Sequence, residues 1–338
     1  MTHFTRRATL GLMGGAMTAP FVAKGAWAAT PISVGALRFT SHAPSFIALE
    51  RGYFAEAGID VNFEFFQAAQ PMAVAIASGD ADYAMTAISG GLISLAQKGA
   101  AKVIGGALSE EQGIDGQKIL ASNAAYEAGL TDPSQLEGKS FGITQAGSSF
   151  HYMGSKIAQA EGAEVSFKPL QKTPAVIGAI KSGQIDAWSI VPHIAKPLAG
   201  AGAVQIIGDV ADYIPDYQVT TVFTSAKNAS DAPDQTRAFL QALSKGAADF
   251  NAALVDNTAD DAERAEIIKL IAGYVYPDRS VEDARDSVVN GAMRINADCA
   301  LNRASVMDQL DWFKSEGLVD QDIAYETLVD ESYVDIIS

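Results

Sequence analysis

Residues 32–87 alternate between two hydrophobic periods, and that alternation is the strongest constraint on what the chain can fold into. Residues 32–39 form an apolar run suited to a buried strand, broken by Thr40, Ser41, His42, Ala43 and Pro44. Phe46, Leu49 and Tyr53 then fall at helical spacing, and Gly58 stops the helix. Residues 60–66 predict a second strand, 71–78 a second helix and 81–86 a third strand. Strands joined by helices in this way make a parallel sheet, which gathers its strand ends into one crevice where open α/β folds take ligands.

The same rhythm continues. A helix over 91–98 and a strand over 101–108 precede a polar, Gly-rich stretch at 109–116 and a short strand at 118–121, which predicts a crossing into another lobe. There the pattern restarts: strands at 140–144, 165–170, 186–191 and 203–207, with helices at 148–161 and 174–182. Phe150, Met153 and Ile157 share one face of the first of these helices. Residues 215–224 predict a return strand, and helices at 237–254, 261–272 and 304–316 pack back onto the first lobe. The expected division is lobe 1 at 29–112 and 222–338, and lobe 2 at 113–221. Two crossings between αβ lobes imply a hinged clamshell.

Residues 1–28 are set apart as an export signal of the twin-arginine type. Arg6 and Arg7 stand in Thr5-Arg-Arg-Ala-Thr-Leu10, a weakly apolar stretch follows to Val22, and Ala26-Trp27-Ala28 offers a small-x-small cleavage site. The apolar stretch is too short for a hydrocarbon core of roughly 30 Å. Its removal takes Arg6, Arg7, Lys24 and no acid, so the net charge of −16 becomes −19. That charge argues against a nucleic-acid partner. Cys299 is the one cysteine, so no intramolecular disulfide forms.

Five segments carry a resemblance: Ser41-His-Ala-Pro44, Glu50-Arg-Gly-Tyr-Phe-Ala-Glu-Ala-Gly-Ile-Asp60, Ser78-Gly-Asp-Ala-Asp-Tyr83, Leu136-Glu-Gly-Lys-Ser-Phe-Gly142 and Gly147-Ser-Ser-Phe-His151. In order and spacing they resemble the NMT1/THI5-like family (SsuA/TauA type), solute-binding proteins of importers for sulfonates, taurine, nitrate and thiamine precursors. The resemblance implies an α/β type II periplasmic binding fold of two αβα lobes. It also implies a small-molecule ligand held between them and delivery to an ABC permease with its separate ATPase. With the export signal and no Cys cluster, the chain is expected to be a periplasmic monomer with no cofactor. Gly138-Lys139-Ser140 ends like a phosphate loop, but Pro133 stands where the first Gly belongs.

Candidate ligand residues cluster at the expected cleft. Gly147, Ser148 and Ser149 follow a strand and open a helix, where free N–H groups and the helix dipole favour an anion; Ser148 equally reads as a plain N-cap. Ser41, Thr86, Ala87, Ser89 and Gly90 follow strands in lobe 1. Trp188 is a possible stacking platform or a core residue, and Arg38 a possible acid clamp or a surface ion-pair member. Asp186 either meets a ligand amine or starts its strand. His42, His151 and His193 all fall at predicted cleft turns, which suggests ligand contact. A receptor using the three as metal ligands is the alternative, though none lie at i,i+3 or i,i+4.

The expected ligand is a small organic anion or zwitterion: a sulfonate, a taurine-like molecule, a carboxylate or a pyrimidine. A second alternative is an enzyme on the same fold. Pyrimidine-precursor synthases resembling this family carry a Cys-rich motif, for which Cys299 alone does not suffice, and Gly147-Ser148-Ser149-Phe150-His151 is no hydrolase elbow.

Overall fold

The computed structural model describes residues 30–337, so the expected export signal lies outside the described residues. Along the chain the strands are β1 (Thr30–Ala36), β2 (Ile59–Phe65), β3 (Tyr83–Thr86), β4 (Lys102–Gly106), β5 (Lys118–Ser122), β6 (Ser140–Ile143), β7 (Ser166–Pro169), β8 (Ala187–Ile190), β9 (Val204–Asp209) and β10 (Thr221–Thr224). They form two five-stranded sheets ordered β2-β1-β3-β10-β4 and β7-β6-β8-β5-β9. The sheets share one topology. In each, four strands run in one direction, and the strand delivered by an inter-lobe crossing is inserted antiparallel between two of them. β10 lies between β3 and β4, and β5 between β8 and β9. The expected parallel sheets are therefore mixed, because a chain that crosses directly from the other lobe enters without a helix to reverse it.

Burial explains the composition of the strands. β3, β5, β8 and β10 are buried at every position, as strands covered on both faces must be, whereas the edge strand β2 alternates. Each lobe also carries the same clasp. The Asp82 carboxylate accepts from the Ser33 N–H at 2.8 Å, and the Asp186 carboxylate accepts from the Ser140 N–H and hydroxyl, each at 2.7 Å. Asp186 is thus committed to fastening its strand to β6.

The helices are α1 (Ala43–Glu50), α2 (Tyr53–Glu56), α3 (Ala69–Ser78), α4 (Gly90–Gln97), α5 (Asn123–Glu127), α6 (Ser149–Glu161), α7 (Thr173–Lys181), α8 (Pro192–Gly200), α9 (Ala226–Asp231), α10 (Pro233–Leu254), α11 (Asp261–Val275), α12 (Val281–Val289) and α13 (Arg303–Ser315). The helix expected through Tyr53 is broken in two at Gly52, whose φ of 76° lies in the left-handed region. Among the described residues no helix is long and apolar enough to cross a membrane.

The C-terminal helices do not all return to lobe 1. α10 and α11 lie against α1, but α12 rests on α8 and α13 reaches α6, both in lobe 2. The α11–α12 hairpin therefore touches both lobes. The two crossings are hydrogen-bonded to each other: the Glu110 N–H donates to the Tyr217 carbonyl at 2.9 Å, and the Val219 N–H to the Leu108 carbonyl at 2.9 Å.

Candidate functional site

The parallel strands of both sheets point their C-terminal ends at the interface between the lobes, and a cavity lies there. Its volume is ≈ 60 Å³, several times the ~10–15 Å³ that one water needs. Lobe 1 supplies Leu37, Phe39, Ser41 and His42 from the turn after β1, Ala68 and Ala69 at the start of α3, and Thr86 and Ala87 after β3. Lobe 2 supplies Thr144, Ser148, Ser149 and Phe150 from the β6–α6 turn, Thr173 at the start of α7, and Ile190 and Val191 after β8. The crossings add Leu108, Gln117, Val219 and Thr220. This is the crevice that open α/β sheets offer, doubled and closed on itself.

The lobes meet around the cavity through main chain. The Gly90 N–H at the head of α4 donates to the Gly147 carbonyl at 2.9 Å, and the Gln145 amide donates to the Gln70 side-chain oxygen at 3.2 Å. Gly147 has φ 72°, so the turn favours glycine, and a Cβ there would meet the Gly90 backbone at 3.5 Å, in ordinary contact.

His42 is the most informative polar group in the wall. Its Nδ1 accepts from the Leu37 N–H at 3.3 Å, which leaves the ring proton on Nε2. Among the described residues Nε2 has no partner, and His42 is 1% exposed. Burial, and then the neighbouring His193 of the other lobe, lower its pKa to about 3. His42 is therefore neutral at any physiological pH and offers one N–H. Ser148 caps α6, its hydroxyl accepting from the His151 N–H at 3.4 Å, and Ser149 begins the helix. Among the described residues no Asp, Glu, Lys or Arg lines the cavity.

The NMT1/THI5-like family profile matches residues 39–253, more than half of the chain. The chain belongs to the NMT1/THI5-like family. No curated protein matches it by sequence. Among solved structures, the alkanesulfonate-binding protein SsuA from Xanthomonas axonopodis pv. citri, bound to MOPS, is 15% identical with a TM-score of 0.70, covering 89% of this chain and 98% of that one. The Candida albicans CA3427 gene product, described as having the generic periplasmic binding protein fold, is 16% identical with a TM-score of 0.68, over 91% and 99%. The nitrate-binding protein NrtA from Synechocystis PCC 6803 is 14% identical with a TM-score of 0.68, over 88% and 84%. At these identities the likeness establishes the fold, which is that of periplasmic binding proteins.

Within this NMT1/THI5-like chain, the structure brings together Ser41, His42, Thr86, Ala87, Ser148 and Ser149 at the cavity. Six other candidates stand elsewhere. Arg38 donates to the Tyr274 carbonyl at 2.6 Å and lies 3.9 Å over the Phe65 ring, so its charge is satisfied away from the cavity. Ser89 caps α4, its hydroxyl accepting from the Leu92 N–H at 3.2 Å. Gly147 forms the inter-lobe turn, and its N–H donates to His151 Nδ1 at 3.2 Å. Trp188 is wholly buried under Phe150, edge to face at 5.4 Å, because β8 is covered on both sides. His151 sits against Phe167 and Trp312. His193 is buried 5.2 Å from Phe39, and its carbonyl accepts from the Tyr276 hydroxyl at 3.2 Å.

The alternative of a three-His metal centre is corrected by this placement. His151 is drawn into an aromatic setting apart from His42 and His193, and among the described residues no group of three His, Cys, Asp or Glu side chains could hold a metal ion.

The sequence reading missed the apolar wall and the crossing residues. Phe39, Phe150 and Val219 carry no chemical signature, and Gln117 and Thr220 lie in crossings that only topology places beside the cavity. The position of the crossings, which the sequence does show, was the signal available for the last two.

Proposed function

We propose that the protein is a periplasmic solute receptor of an ABC importer. It captures a small organic molecule between its lobes, 29–112 with 222–338 on one side and 113–221 on the other, and presents it to a membrane permease driven by a separate ATPase. One observation carries the reading: the cavity at the lobe interface draws its wall from both lobes and both crossings, so its completeness depends on closure. Solute binding and lobe closure are then one event, and a permease that recognises the closed form recognises the loaded one. The sulfonate- and nitrate-binding neighbours support the same reading.

Binding rather than turnover is supported by the chemistry of the wall. His42 stands near cavity hydroxyls, but its Nδ1 faces the Leu37 N–H instead of a carboxylate, so nothing stabilises the imidazolium a general base would become. Cys299 is buried and pushed up to about 12 by that burial and the nearby Asp298, far from a reactive thiolate. The chain acts as a monomer and reaches the periplasm by the twin-arginine route.

Replacing Ser148 and Ser149 together by Ala tests the site. It removes the hydroxyls at the head of α6 and is expected to abolish ligand-induced stabilisation in a thermal-shift screen of carboxylates, sulfonates and pyrimidines. It also lowers intrinsic stability by about 1 kcal/mol through the lost cap. Unchanged ligand affinity in the folded double variant would remove the α6 terminus from the site.

A further inference from the structure

The interface between the lobes buries two imidazoles beside each other. His42 stands in the lobe 1 turn after β1, and His193 in the first turn of α8 in lobe 2. The Phe39 ring of lobe 1 packs edge to face on both, its centroid 6.4 Å from that of His42 and 5.2 Å from that of His193. His42 is 1% exposed and His193 3%. Among the described residues, His42 Nε2 and both ring nitrogens of His193 have no hydrogen-bond partner. Three groups from outside lobe 2 press on His193. They are Phe39, the Tyr276 hydroxyl that donates to the His193 carbonyl at 3.2 Å, and Gly291 beyond α12, where an added Cβ would lie 2.1 Å from the His193 Cβ.

The charged groups on the surrounding elements are engaged elsewhere. In the turn that carries His42, Arg38 donates to the Tyr274 carbonyl of α11 and lies over the Phe65 ring. Glu50 of α1 accepts from the Tyr274 hydroxyl at 2.5 Å. On α8, Lys196 pairs with Asp115, which also holds Lys118 of β5, and Lys118 in turn meets Asp209 of β9. After α11, Arg279 donates to the Ser287 hydroxyl and the Asp283 carbonyl, while Asp283 and Asp286 of α12 line an outer groove shared with Lys196. His151 sits apart, bonded to the Gly147 N–H and packed on Phe167 and Trp312. Among the described residues the one ionisable side chain that acts on His42 is His193.

We propose that His42 and His193 form an acid-sensitive gate between the lobes: protonating either ring drives the lobes apart, so a solute is held at neutral pH and released in acid. The inference rests on the receptor reading for that solute, but the opening is a property of the empty chain. With the lobes closed, no carboxylate faces the pair to receive a proton's charge, and a proton on each ring would set like charges side by side. With the lobes apart, each ring meets water and titrates as an ordinary imidazole. Burial holds both at about 3 in the closed form, against the ordinary 6.5. Between those values the open form binds more protons, so their contribution to closure is complete above pH 6.5 and is lost as pH falls toward 3. From pH 7.5 to 5.5, full hydration of one ring multiplies the open-to-closed ratio by about ten, and of both by about a hundred.

The test is the distance between spin labels on Val74→Cys of α3 and Tyr126→Cys of α5, exposed sites on opposite lobes. Double electron–electron resonance measures it on the mature, solute-free chain from pH 8 to 5. Cys299 is 3% exposed and stays unlabelled. The longer-distance population is expected to grow against the shorter by at least about tenfold between pH 7.5 and 5.5, with circular dichroism unchanged. His193→Phe keeps a ring against Phe39 and removes its proton site, and His42→Asn keeps an acceptor for the Leu37 N–H. Together they are expected to flatten the profile, and the measurement on the unsubstituted pair stands even where that variant fails to fold. A distance distribution that does not change with pH overturns the inference, and so does a change that the folded double variant keeps in full. Either result leaves the receptor reading intact, because a solute screen at neutral pH tests that reading separately.

Discussion

The close crossing of α10 over α1 makes two glycines respond oppositely to the same change. Gly246 of α10 lies so near α1 that an added Cβ would sit 2.1 Å from the Pro44 carbonyl oxygen and 3.1 Å from the Ala48 nitrogen. Ordinary contact begins at 3.4 Å, so the helices would have to part by the difference, about 1.3 Å. The obstruction is main chain, so no rotamer relieves it. α1 carries Phe46 and Ile47, both fully buried, and cannot move without opening the core around them. Overpacking of this kind costs typically ~1–3 kcal/mol, and a backbone obstruction belongs at the top of that range. Alanine's helix propensity returns ~1 kcal/mol. Gly246→Ala is therefore expected to destabilise by about 2 kcal/mol, a fall of about 3 °C in Tm for a chain of this size. Gly273 in α11 is exposed, with nothing within 4 Å of its added Cβ, so Gly273→Ala keeps only the propensity gain of up to ~1 kcal/mol. Reversible urea unfolding followed by circular dichroism measures both. A Gly246→Ala protein as stable as the parent, or two variants shifting in the same direction, would refute the packing argument.

Two further outcomes follow from the buried imidazoles and the leader. His42 and His193 are held at about 3 in the folded chain, chiefly by burial, against 6.5 when unfolded. Between those values the unfolded chain binds more protons, so their contribution is complete above pH 6.5 and is lost as pH falls toward 3. The slope is about 1.4 kcal/mol per pH unit for each histidine. Melting curves from pH 7.5 to 5 check this, and a flat profile that His42→Phe leaves unchanged would contradict it. Replacing Arg6 and Arg7 together by Lys is expected to leave precursor in the cytoplasm; normal export of that variant, seen by fractionation and immunoblotting, would refute the twin-arginine assignment.

The fold was legible where local chemistry punctuates it. Gly79 and Gly183, both with positive φ, end helices just before the Asp82 and Asp186 clasps, so both lobes announce their third strand in the same way. Strand direction leaves no such mark. The residues of β5 and β10 are as uniformly buried as those of β3 and β8, and only the route of the chain makes them antiparallel. The same uniform burial hid the side of β8 on which Trp188 lies. Among the candidate residues, turns after parallel strands led to Ser41, His42, Thr86, Ala87, Ser148 and Ser149. The three histidines looked equivalent in sequence, yet one faces the cavity, one packs across from it on Phe39, and one lies against Phe167. Tertiary neighbours decide between those fates, and a linear chain does not display them.

Native mass spectrometry of the mature chain with a panel of carboxylates, sulfonates and pyrimidines tests the central claim most directly, provided an Ala87→Phe protein is run beside it. Ala87 lines the cavity and is 7% exposed, so a phenyl group there fills the space a solute needs. The account predicts one solute bound per chain, released on denaturation and absent from the folded Ala87→Phe protein. A chain that retains no member of the panel, or a filled variant that retains the solute equally well, would contradict it.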